Sequence, residues 1–191
     1  MSSNTKKVVN KRKVVTGEVT ISYEHLKEPV AVQEGAKPKY SASIIIPKSD
    51  TETIEKVKAG IQAAYEEGEG VLKGTGKSVP SLDIIKVALR DGDLEKPDDE
   101  AYANSYFINA NSLNKPQIVD RNLNPIIEPS EIYSGMKARV SINFYAFNVN
   151  GNRGIAAGLG NVQKLADGTP LGGGSRAEDD FDVVEDDDFL S

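Results

Sequence analysis

Residues 136–149 read "MKARVSINFYAFNV", and the alternation in this stretch decides the fold. The even positions, Met136, Ala138, Val140, Ile142, Phe144 and Ala146, are apolar. The odd positions are Lys137, Arg139, Ser141, Asn143, Tyr145 and Phe147. A period of two is that of a β-strand with its faces in different surroundings. The even face suits a barrel core, whereas two cations followed by two aromatics do not.

Working outward, "RGIAAGLGNVQKL" (153–165) predicts a closing strand whose glycines mark bends or bulges. Upstream, "YANSYFINAN" (102–111) is a weaker strand that sets Phe107 on one face with Ser105, Asn109 and Asn111. "LDIIKVAL" (82–89) and "YSASIIIP" (40–47) are β-branched runs of strand length, the second ended by Pro47. "VVTGEVTISY" (14–23) alternates with Val15, Val19, Ile21 and Tyr23 on one face. A helix is predicted over about residues 51–67: Ser49 and Glu52 fit a capping box, Ile54, Val57, Ile61 and Ala64 share a face, and Gly68 ends the run. This order predicts a mainly β, OB-like Greek-key barrel with one covering helix.

Charge divides the chain further. The 191 residues hold 23 bases and 29 acids, and the last sixteen, Arg176 to Ser191, hold one base and eight acids. That leaves 22 bases and 21 acids in residues 1–175, with an acid-free start carrying Lys6, Lys7, Lys11, Arg12 and Lys13. Blocks of like charge usually serve as interaction tails. The expected plan is a basic flexible arm (1–12), a folded domain (13–165), and a flexible linker with an acidic tail (166–191) that opens on "DGTPLGGGSR". With no apolar run of membrane-spanning length, a cytoplasmic protein is expected. Zero cysteines and the single His25 exclude disulfides, thiolate metal sites and most zinc sites, so no metal or other cofactor is expected.

Two short motifs fail their spacing tests. "GTGKS" (74–78) resembles the end of a phosphate-binding loop, but Val71 stands where the first glycine belongs, and the stretch follows a helix and runs into Pro80. "DGDLEKPDDE" (91–100) puts Lys96 where a calcium loop needs glycine. An NTPase or a carboxylate-metal nuclease therefore lacks support, and a non-enzyme is expected.

The odd face of 136–149 is the better signal. Cations neutralise phosphates and flat rings stack on unpaired bases for about 1–3 kcal/mol each, which is what a single nucleic-acid strand requires. The expected contacts are Lys137, Arg139, Tyr145 and Phe147, supported by Phe107, Lys86, Arg90, Arg121 and Arg153. A flexible polyanion on the same chain can occupy its own cationic groove until phosphates displace it. The tip, Asp186, Asp187, Asp188, Phe189 and Leu190, then reads as a charged, hydrophobic anchor for a protein partner. The competing reading is an interaction protein whose tail is a docking motif or nucleic-acid mimic and whose body, with its near-balanced charge, binds no DNA.

The chain resembles phage-encoded single-stranded-DNA-binding proteins with an OB-fold. The likeness runs through "YSASIIIPKSD" (40–50), "NKPQIVDRNLNPI" (114–126), "IYSGMKARVSINFYAF" (132–147), "GIAAGLGNVQKLADGTPLGG" (154–173) and the acidic end "EDDDFLS". It implies coating of single-stranded DNA in phage replication or recombination in the infected host's cytoplasm. It also implies recruitment of replication or recombination proteins by the tail, and oligomers are possible in such a family. Bacterial-type tails end in proline and an aromatic; here the order is Phe189, Leu190, Ser191, which leaves a dedicated phage partner as open as a host one.

Overall fold

The computed structural model describes residues 9–171; Met1–Val8 and residues 172–191, with the acidic tail and its Phe189–Leu190 tip, lie outside them. In chain order the elements are β1 (Lys13–Val15), β2 (Val19–Val30), β3 (Lys39–Pro47), α1 (Thr51–Glu67), α2 (Glu69–Lys73), β4 (Lys86–Val87), β5 (Leu89–Asp91), α3 (Gly92–Glu95), β6 (Ser105–Ser112), β7 (Ile118–Val119), β8 (Lys137–Val149) and β9 (Asn152–Ala166). Five long strands close a ring in the order β2, β3, β6, β9, β8 and back to β2. All of these pairings are antiparallel except β6 with β9, where Ala110 faces Ala157. This is the strand order of a five-stranded OB barrel. Met136 and the even face of β8 line its interior: Met136, Ala138, Val140 and Phe144 are fully buried, and Ile142 nearly so.

Helix α1 covers the barrel with Ile54, Val57, Ile61 and Ala64 turned inward. Gly60 lets it approach, because a Cβ there would fall 2.8 Å from a Val14 methyl and 2.9 Å from the Phe144 ring. Its cap differs from the expected Ser49: the Asp50 side chain accepts the Thr53 amide. A carboxylate one residue later reaches the same class of orphan N–H and adds charge at the positive helix end.

Two strand expectations need correction. The stretch 14–23 is two strands broken around Gly17, so Val14 rather than Val15 is buried, and Val15 is exposed. Tyr23, at φ 45°, leaves the regular pleat and turns its ring out, 61% exposed. The stretch 82–89 is a 3-10 turn followed by two short strands of different allegiance: Lys86–Val87 pairs parallel with β9, and Leu89–Asp91 pairs antiparallel with β6. Lys86 and Arg90 therefore belong to different strands.

The described start of the linker does not hang free. Asp167 accepts from the Lys164 ammonium (2.7 Å) and the Tyr133 hydroxyl (2.8 Å), while the Gly168 and Leu171 amides donate to Tyr133 and the Ser134 carbonyl. Leu171 then packs on a small cluster of Ile45, Tyr102 and Phe107. This strap places the exit of the chain on the barrel's outer surface. The Lys164 ammonium, helped by Tyr133, holds the Asp167 carboxyl below its ordinary value of 3.8. A depressed folded-state pKa gives stability that is fully present above the unfolded value and lost as pH falls through the folded one. The Gly168 amide resonance is thus expected to stay put from neutral pH to about pH 4 and move only below that; a midpoint above the ordinary carboxylate value contradicts the clasp.

Candidate nucleic-acid interface

Across the barrel's outer surface the strand register sets small and polar side chains side by side. Ser41 and Ser43 on β3 face Asn111 and Asn109 on β6, and Asn111 in turn faces Gly158 on β9. Two adjoining grooves share Asn109 and Asn111 as floor. One, of about 730 Å³, runs under Lys86 and Arg90 beside Ala156; the other runs past Tyr23, His25, Ser41 and Lys96. Strands two and three of an OB barrel, with the loops after strands one and four, form its usual oligonucleotide face. Here those are β3 and β6, the β2–β3 connection and the β8–β9 hairpin.

The structure separates the expected contacts into three groups. Tyr145, 38% exposed, and the half-buried Phe147 stand near the hairpin, opposite Ala156 and Gly154. A Cβ on Gly154 would lie 2.9 Å from the Phe147 ring and collide with the Lys86 carbonyl, so glycine is what lets the ring settle against β9. Arg153 and Lys86 belong to the same corner, since Phe147 faces Gly154 and Lys86 pairs with Gly154. Arg90 lines the groove with its charge engaged: its guanidinium donates to both Glu95 oxygens at 2.8–3.0 Å, which raises its pKa, and it lies 5.0 Å above the Phe107 ring.

Lys137, Arg139 and Arg121 form a second group at the far end of β8. Ten residues separate Lys137 from Phe147, about 33 Å at the usual rise of a strand. The Lys137 ammonium donates to Thr20 Oγ1 (2.6 Å) and Arg139 Nε to the Thr16 carbonyl (3.2 Å). Gln163, across from Arg139, donates to the Arg121 carbonyl, which ties the Arg121 turn to this patch. The two cations and two aromatics therefore share a face without sharing a groove.

Phe107 is the correction. It is fully buried, edge-on to Tyr102 at 5.1 Å, under the segment that carries α3 and the turn at Glu100–Tyr102. As the chain stands, no base can reach its ring. Its face is the outer one that alternation predicts; the cover comes from residues 92–102, which strand periodicity does not see. The acids of that cover have structural work: Asp91 and Asp93 hold the Lys48 ammonium at 2.9 and 2.7 Å, and Asp93 also accepts the Asn104 amide, which together lower its pKa.

Sequence reasoning missed Tyr23 and Lys96 as groove residues. The Lys96 ammonium lies 5.2 Å from the Tyr23 ring centre and 4.9 Å from that of Tyr102, a cation fixed over aromatics at the groove wall. Alternation puts Tyr23 on the face of Val19 and Ile21, and only its positive φ takes it off that face. Lys96 sits in an acidic loop whose charge conceals it.

An OB-like barrel with an aromatic-edged polar groove between its two characteristic loops defines an oligonucleotide-binding barrel as a class. Within that class, the family described as the ssDNA-binding protein of Enterobacter phage Enc34 matches residues 12–190, and the chain belongs to it. A relative named Putative protein p50, from Acyrthosiphon pisum secondary endosymbiont phage 1, is 32% identical over 186 residues, covering 94% of this chain and 99% of that one. The structure of the bacteriophage Enc34 single-stranded DNA-binding protein in complex with ssDNA matches with a TM-score of 0.67 at 25% identity, covering 84% of this chain and 89% of that one. The bacteriophage T7 single-stranded DNA-binding protein gp2.5, at 16% identity and a TM-score of 0.59 over 91% of this chain and 96% of that one, shares the fold.

Proposed function

We propose that this chain binds single-stranded DNA without catalysis, coating it during phage replication or recombination in the cytoplasm of the infected host. The strand lies across β3 and β6 between the two loops, with bases against Tyr145, Phe147 and Tyr23. Lys86, Arg153 and Lys96 meet its phosphates. Lys137, Arg139 and Arg121 extend the track along β8. The observation that carries this reading is the pair of adjoining grooves with a shared asparagine floor, bounded by exposed rings and cations. Small floor residues leave room for bases, amides offer hydrogen bonds to any base edge, and stacking tolerates every base.

The acidic tail completes the proposal. Leu171, the last described residue, packs on the cluster whose rings lie beneath Lys96, so the chain leads into its acidic tail from beside the groove. The charge of that tail competes with DNA for the same cations, and DNA binding releases the Asp186–Leu190 tip for replication or recombination proteins. A chain ended after Gly174 is expected to bind a labelled oligonucleotide more tightly than the full chain at low salt, with the difference shrinking as salt screens the tail. Equal affinity at every salt concentration removes the competing role and leaves the tail as a docking element alone.

A further inference from the structure

Carboxylates hold six of the described cations: Arg12, Lys27, Lys48, Lys56, Arg90 and Lys164. Four others gather at the hairpin corner, and among the described residues none of these four is in a salt bridge. They are Lys73 and Lys77 of "KGTGKS", Lys86 on β4, and Arg153 on β9. The glycine loop is fixed to the hairpin, because Asn148 Nδ2 donates to the Val71 carbonyl at 3.1 Å. A Cβ placed on Gly76 would lie 3.9 Å from the Arg153 guanidinium. Arg153 Nε is buried with no hydrogen-bond partner, an uncommon state for so strong a donor.

Unpaired like charges repel, and an anion at this corner relieves that repulsion. The anion is not a nucleotide seated as in an NTPase, because the loop follows a helix and lacks the first glycine of that motif. Phe147 borders the same corner through Gly154 and Lys86. We infer that the Lys73–Ser78 loop, with Arg153 and Lys86, is a backbone-phosphate clamp for the nucleic-acid strand that stacks on Phe147. Arg153 and Lys86 hold the phosphate beside the ring, and Lys73 and Lys77 hold the next ones along the loop. This rests on the single-strand reading above and adds a loop that the barrel face alone does not include.

The test is a salt series of oligothymidylate binding by the full chain and by its Lys73→Ala/Lys77→Ala double variant. Both lysines are exposed, so the fold is expected to survive with an unchanged thermal midpoint. Each lost phosphate contact removes about 0.7 from the slope of log K against log salt, so the double variant is expected to bind with a slope shallower by about 1.4. Arginine at both positions restores it, and Lys56→Ala, whose partner is Glu52, leaves it unchanged. A double variant with the unsubstituted slope overturns the clamp. Absence of any binding by the unsubstituted chain at low salt overturns the single-strand reading beneath it.

Discussion

Phe107→Ala is expected to lower folding stability by about 3–5 kcal/mol, the usual cost of emptying a buried aromatic site. It is expected to leave the salt slope of single-strand binding unchanged. The ring fills a cluster with Ile45, Tyr102 and Leu171 and sits beneath both the Arg90 guanidinium and the Lys96 ammonium. Its loss opens a cavity under α3 and removes the surface on which the strap closes. Urea unfolding followed by circular dichroism reads the stability, and oligonucleotide binding well below the transition reads the slope. A variant of full stability but weakened DNA binding returns Phe107 to the interface and overturns its assignment to the core.

The Tyr145→Ala/Phe147→Ala double variant is expected to weaken single-strand binding by about 2–6 kcal/mol, the sum of two stacking increments. Again the salt slope is expected to hold, because neither ring neutralises a phosphate. Tyr145 is the cleaner of the two, being 38% exposed, with the small residues Ala156 across from it and Gly158 beside its ring. Phe147 also packs against Gly154, so part of its effect falls on the hairpin and Lys86. Single variants separate these contributions. Wild-type affinity with intact folding removes the rings from the DNA path, and loss of folding in the Tyr145→Ala variant makes that ring structural.

What was legible in the sequence follows from how directly periodicity reports burial. β8 is readable because from Ala138 to Phe144 one face meets the barrel core while the other stays outside, so every second side chain there obeys the same rule; toward the hairpin, from Ala146 to Asn148, burial is intermediate on both faces. α1 is readable for the same reason, at its own period. Phe107 shows where the signal stops: alternation finds its face, but burial there depends on a segment of turns between Gly92 and Tyr102 that has no period. Tyr23 fails through a single backbone angle that rotates one residue out of the pleat. Lys86 and Arg90 reach the same groove from two strands, because the chain changes partner at Ala88, which no local pattern announces. The family-level resemblance extended where local pattern could not, since it spans the barrel and the acidic end together.

On the proposed reading, the outer face of β3 and β6, with its flanking loops, takes a single strand of DNA. The most direct measurement is anisotropy of a labelled oligonucleotide and of its duplex, titrated with the full chain across a salt series. The expected result is tighter binding of the single strand, with log K falling linearly against log salt at about 0.7 per phosphate engaged. No binding of the single strand at low salt, or an affinity indifferent to salt, contradicts it.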